Sequence, residues 1–229
     1  MDEDQNGASK VSETAKVKID ILPQPIRDGF VRLIEPLIEF FVKLDVNPNV
    51  FTTVGFALNA VAAAVFAFGH VHWGGALMLL GGVCDMMDGR VARGTGKVTR
   101  FGALYDSTLD RYSEILVFLG MAIYFLHAGK EWVVVAILIA MGGSVMVSYV
   151  RARAEGLGFE CKIGIMQRAE RVVYLGVSAL LHEVLLIVAI LIVAVLANIT
   201  AIQRIHYIWA QENGRKSDTL PEGQSFDAD

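Results

Sequence analysis

Between Asp85 and Asp110, four aspartates recur at spacings of three and four residues inside sequence that is otherwise largely apolar. The stretch reads Asp85, Met86, Met87, Asp88, Gly89, Arg90, Val91, Ala92 and Arg93, followed after a short interval by Gly102, Asp106 and Asp110. Steps of three and four place each pair of carboxylates on one face of a helix. At membrane depth a carboxylate is costly unless it is paired or bound to a cation. The chain must therefore fold so that two helices, meeting near Gly94-Thr95-Gly96, aim two carboxylates each at one point. Four hard oxygen ligands converging in this way describe a metal site, and one with room for two ions. The plainer alternative is ion pairing with Arg90, Arg93 and Arg111, but pairing alone would not need the carboxylates to keep this register.

The surrounding sequence sets the fold class. The 229 residues are 54% hydrophobic with a mean hydropathy of +0.49, and several apolar runs can cross roughly 30 Å of hydrocarbon. The expectation is an all-α integral membrane protein with six transmembrane helices plus an N-terminal interfacial amphipathic helix. That first helix, about Pro25 to Leu44, alternates Arg32, Glu35 and Glu39 with Ile34, Leu37 and Ile38, a period suited to lying in the interface. The spans are expected at about Val50–Gly69, Ala76–Arg93, Arg100–His127, Trp132–Glu155, Gln167–Leu181 and Val184–Trp209, with His70 to Gly75 as a turn. Residues 1–20 and 211–229 read as polar tails around a membrane domain of residues 21–210. Because acidic residues collect in those tails, the net charge of −4 says little about partners, and no nucleic acid is expected among them. The acidic start lacks the pattern of a cleaved signal peptide. Cys84 and Cys161 suggest neither a disulfide framework nor a zinc site.

Positive charge orients the spans. Arg90, Arg93, Lys97 and Arg100 fall in one loop, and Arg151, Arg153, Lys162, Arg168 and Arg171 in or beside another, whereas the opposite turns offer only Lys130 beside Glu131. Both termini and the aspartates are then cytoplasmic in a multi-pass plasma-membrane protein. Gly89, Ala92, Gly102 and Ala103 would let helices and a ligand approach closely, and Arg93 near the mouth could pair a phosphate. Carboxylates, divalent cations, small residues and an arginine together describe a pyrophosphate cleft.

These residues resemble the signature of the CDP-alcohol phosphotransferase family, D-x2-D-G-x2-A-R-x8-G-x3-D-x3-D, at every fixed position. The resemblance covers about Leu22 to Trp209. It implies cleavage of a CDP-linked lipid, transfer of its phosphatidyl group to a small polar alcohol, release of CMP, and a homodimer in membrane lipid. It also implies Asp85, Asp88, Asp106 and Asp110 as ligands of two Mg²⁺ or Mn²⁺ ions, with Asp110 as general base. Asn49, Thr52, Gly89, Arg93 and Thr99 match positions that hold the CDP-lipid.

Ser148 to Glu155, Arg168-Ala-Glu-Arg171 and Gln203-Arg204 further resemble the phosphatidylinositol-phosphate synthases of bacteria and their archaeal counterparts. That likeness implies CDP-diacylglycerol as donor and inositol 1-phosphate as acceptor, with Arg151, Arg153 and Arg204 binding the acceptor phosphate. The chain departs from the pattern at Gln167, Ala169 and Ile208. Glycerol 3-phosphate, serine and free inositol are alternative acceptors for the same chemistry, and archaeol an alternative lipid. A divalent-cation transporter is the rival of a different class. It would need polar residues continuing outward, where Ala76 to Leu80 and Ile115 to Phe125 are mostly apolar.

Overall fold

The computed structural model describes residues 24–215, in which all regular structure is helical. Seven helices follow in order: α1 (Gln24–Lys43), α2 (Pro48–Ala67), α3 (Val71–Thr95), α4 (Arg100–His127), α5 (Glu131–Gly156), α6 (Arg168–Leu181) and α7 (Glu183–Arg215). Local chemistry sets several boundaries. Pro48 opens α2, where its missing N–H would have had no helical partner, and the Asn47 side chain accepts the Asn49 N–H at 3.0 Å. Gly96 ends α3 in the left-handed region with φ 69°, and Thr99 starts α4 by accepting the Gly102 N–H at 2.9 Å.

Helices α2 to α7 close into a ring whose spatial order is α2, α3, α6, α7, α5, α4. Phe66, Phe118, Met121, Phe125, Ile137, Leu175 and Ile190 fill its interior. Small residues permit the close contacts that membrane helices use. A side chain on Gly55 would meet the Gly81 carbonyl, and one on Gly120 would run into the Ala63 backbone. Helix α1 lies outside the ring. Its buried Ile34 and Ile38, one turn apart, pack with Phe51, Met87 and Val91 behind the aspartate face of α3. The Lys97 Nζ atom meets Asp45 Oδ1 at 2.7 Å and so joins the α1–α2 link to the α3–α4 turn.

The ring is apolar outside as well as inside, with Leu80, Leu119, Leu126, Val135, Leu138, Val188 and Val195 all exposed. A surface of this kind belongs in lipid. Among the described residues, three helices are long and apolar enough to cross a membrane: Pro48–Ala67, Glu131–Gly156 and, within α7, Glu183–Asn213. Helices α3 and α4 have the length but carry the charged site. Helix α6 has only 14 residues, about 21 Å at 1.5 Å per residue.

Two sequence expectations need correction. Helix α3 begins at Val71, so His70 to Gly75 is no turn. Gly74 makes room for the Phe66 ring and Gly75 for the Gly176 carbonyl of α6. Helix α7 runs to Arg215, into what reads as tail, where Gln211 Nε2 donates to the Glu160 carbonyl at 3.4 Å. The N-terminal tail and the remainder of the C-terminal tail lie outside the described residues.

Candidate active site

Asp85, Asp88 and Asp106 converge as the aspartate spacing predicts: one carboxylate oxygen from each lies within 4.8 Å of the others. The first two come from the last turns of α3 and the third from the second turn of α4, so the tight Gly96 turn brings the pairs together. Thr52 of α2 donates to Asp88 Oδ2 at 2.8 Å, fixing that carboxylate in a largely buried position. Asp110, one turn beyond Asp106, stands apart from this triad. Its Oδ2 accepts from Arg111 Nη2 at 3.2 Å, and its Oδ1 lies 2.9 Å from Arg168 Nη2. The three converging oxygens are hard donors suited to Mg²⁺ or Mn²⁺, with Asp110 one helical turn away.

The residues matched to the CDP-lipid come from α2, α3 and the start of α4, around the helices that carry the aspartates. A side chain on Gly102 would crowd Thr99 Oγ1 at 2.9 Å and Asn49 Oδ1 at 3.4 Å, which places Asn49 and Thr99 beside each other. A Cβ on Gly89 would meet Arg93 Nη1 at 3.3 Å, so the exposed Arg93 side chain lies over the glycine. Thr99 already accepts the α4 capping bond, and Thr52 already orients Asp88. Both therefore shape the site whatever else they touch.

The acceptor arginines divide. Arg204 is buried and donates to the Ile163 carbonyl at 2.9 Å and the Val147 carbonyl at 2.5 Å. It thereby clamps the segment 157–167 to α5 and α7, helped by the Met166 N–H on Thr200 Oγ1 at 3.2 Å. Arg151 is exposed and pairs with Glu155 at 2.8 Å. Burial pushes the thiol of Cys161 up, against the pull of both Arg204 and Arg151, so these two cations flank the same loop. Arg153 is exposed as well, but a step of two residues turns it about 200° away from Arg151. The two arginines therefore leave α5 on different faces.

Two charged residues of the site were not singled out by spacing. Arg168, at the first position of α6, binds Asp85 Oδ2 through Nη1 and reaches Asp110 through Nη2. Arg171, 1% exposed, makes two hydrogen bonds to Glu114 at 2.7 and 3.1 Å. The available signal was Arg168-Ala-Glu-Arg171 itself, in which a three-residue step puts two cations on one face of a short helix. Gln167 serves the start of that helix: its N–H donates to Glu170 Oε2 at 2.6 Å, one half of a capping box.

Residues 45–211 match the model of the CDP-alcohol phosphatidyltransferase family. The chain is 37% identical over 193 residues to archaetidylinositol phosphate synthase of Methanothermobacter thermautotrophicus, covering 80% of this chain and 96% of that one. The crystal structure of Mycobacterium tuberculosis phosphatidylinositol phosphate synthase with CDP-DAG bound superposes with a TM-score of 0.71 at 31% identity, over 78% of this chain and 94% of that one. The same enzyme in complex with manganese and citrate gives a TM-score of 0.69 at 32% identity, over 76% and 88%. With three of its motif aspartates converging and the fourth one helical turn away, this chain belongs to the CDP-alcohol phosphatidyltransferase family and is a membrane-associated transferase of phospholipid biosynthesis.

Proposed function

We propose that the protein transfers a phosphatidyl group from CDP-diacylglycerol, or its archaeol counterpart, to inositol 1-phosphate and releases CMP. The convergence of Asp85, Asp88 and Asp106, with Asp110 one turn away, carries this reading. The relatives with inositol phosphate lipids in their names support the acceptor. The triad and Asp110 would hold two divalent ions. When bound, Mg²⁺ or Mn²⁺ supplies positive charge to the pyrophosphate oxygens.

The protein's own groups do the rest. Asn49, Thr99, Gly102 and Arg93 border the space for the CDP moiety, and Thr52 keeps Asp88 aimed inward. Asp110 takes the proton from the attacking hydroxyl. That oxygen bonds to the lipid-bearing phosphorus as the bond to CMP breaks, in a single displacement that needs no enzyme nucleophile. Arg151, freed from Glu155, binds the acceptor phosphate, and Arg204 braces the loop beneath it.

Arg151→Ala tests the acceptor pocket. Losing one charge-assisted phosphate contact costs about 1.5–3 kcal/mol, so the KM for inositol 1-phosphate should rise roughly ten- to a hundredfold. The KM for the CDP-lipid should hardly move, and Arg153→Ala should do less because that side chain faces elsewhere. Equal effects of Arg151→Ala on both substrates would remove it from the acceptor pocket.

The same reading places α2 to α7 as six spans of a membrane domain, with α1 on the interface and the site and both termini cytoplasmic, in a homodimer. The short α6 spans with the help of the residues just before it, where Met166 is buried. A membrane-impermeant thiol reagent should label Ala128→Cys in intact cells and Val98→Cys only after permeabilisation. The reverse pattern would invert the topology. Cross-linking that yields only monomers in native membranes would rule out the dimer.

A further inference from the structure

Arg168 reaches the carboxylates from a helix that carries none of them. Its guanidinium spans two of the motif residues, with Nη1 on Asp85 Oδ2 and Nη2 2.9 Å from Asp110 Oδ1. Among the described residues, no other basic side chain lies within ion-pair distance of Asp85, Asp88 or Asp106: Arg111 pairs with Asp110, and Arg171 with Glu114. Arg168 thus makes the one ion-pair contact to the triad among the described residues.

Two observations argue that this arginine is more than a strut between helices. The neighbouring Arg171–Glu114 pair, bidentate and nearly sealed from solvent, already pins α6 to α4. Arg168 is also incompletely bonded, since its buried Nε has no hydrogen-bond partner and its contact with Asp110 Oδ1 lacks hydrogen-bond geometry. A buried arginine kept for architecture would have its donors filled. This one makes a charge contact that can be given up.

We propose that Arg168 is a resident counter-cation of the carboxylate cluster, competing with the divalent metal for Asp85 and thereby setting the affinity of the site. The inference rests on the reading that the cluster holds divalent ions. A guanidinium keeps its charge at any relevant pH. An approaching Mg²⁺ or Mn²⁺ must therefore displace it from Asp85 or share that carboxylate with it, and both oppose binding. The compensation is that the carboxylates keep a partner at all times, which lets them stand together at membrane depth. Arg168 is in this sense a positioning residue: it acts through Asp85.

The test is Mn²⁺ binding to purified protein in detergent without CDP-lipid, read from the electron paramagnetic resonance of free Mn²⁺. A unit charge about 5 Å from a divalent ion is worth more than a factor of ten even at an effective dielectric of about 20. Arg168→Met and Arg168→Gln should therefore bind Mn²⁺ about tenfold more tightly or better, while Arg168→Lys stays near the parent. In EDTA the neutral variants should melt below the parent, and saturating Mn²⁺ should raise their melting temperature more than it raises the parent's. A neutral variant that keeps its helical circular dichroism but binds Mn²⁺ equally or more weakly would overturn the proposal, because a strut that merely orients Asp85 gives that result. If the neutral variants do not fold, Arg168→Lys decides, since weakening of Mn²⁺ binding by about tenfold or more with the charge retained would show orientation rather than competition. Absence of any Mn²⁺ binding by the parent would overturn the metal reading itself.

Discussion

Asp106→Asn is expected to lower CMP release by about a thousandfold or more while leaving the fold intact. The substitution keeps the shape and removes one negative charge from a triad whose oxygens lie within 4.8 Å of one another. Loss of a ligand to a catalytic cation removes several kcal/mol of transition-state stabilisation, and about 4 kcal/mol corresponds to roughly a thousandfold in rate. The fold should survive because the core of the ring lies elsewhere. Asp85→Asn should act alike on turnover, and EDTA should match both, with recovery on adding Mg²⁺ or Mn²⁺. Turnover near that of the parent in either variant, measured as CMP release from CDP-diacylglycerol, would remove the triad from the chemistry.

Asp110→Asn should be as damaging to turnover in a different way. A positioned general base contributes typically about a hundred- to ten-thousandfold, and asparagine cannot take the proton. Three other carboxylates remain for the metal, so binding of the CDP-lipid should persist with metal present. The geometry favours this split: Asp110 stands outside the triad and is held by Arg168 and Arg111. Calorimetric titration with CDP-diacylglycerol separates the roles. A variant that no longer binds the lipid in the presence of Mn²⁺ would make Asp110 chiefly a ligand.

The aspartate cluster is legible in the sequence because its information is local. Spacings of three and four fix a helical face, and the glycine-bearing turn between α3 and α4 leaves the two faces little choice but to meet. Thr52 came from resemblance alone, and its bond to Asp88 spans 36 residues of sequence. Arg168 pairs with Asp85 across 83 residues, a distance over which no periodicity speaks. Glycines misled in one place: Gly74-Gly75 suggested a turn, yet they serve close packing against Phe66 and α6. Polar side chains misled in others. Gln211 and Glu212 read as tail but continue α7. Ser144 has no hydrogen-bond partner for its buried Oγ among the described residues. Asn198 bridges α7 to the Ile139 carbonyl at 3.2 Å instead. Asn59 bonds back to Gly55 of its own helix at 2.9 Å. Sequence does not reveal that Arg204 also donates to two backbone carbonyls, Ile163 and Val147.

Acceptor choice is the central question, and one assay addresses it. Purified protein with Mn²⁺ and either CDP-diacylglycerol or CDP-archaeol would be offered inositol 1-phosphate, glycerol 3-phosphate, serine or free inositol in turn. CMP would be quantified and the lipid product weighed by mass spectrometry. Inositol 1-phosphate should release CMP fastest and give a lipid that carries a terminal phosphate monoester, with free inositol a poor substrate. Faster turnover with any of the other three alcohols would contradict the assigned acceptor, and no CMP release with any alcohol and either lipid would contradict the transferase itself.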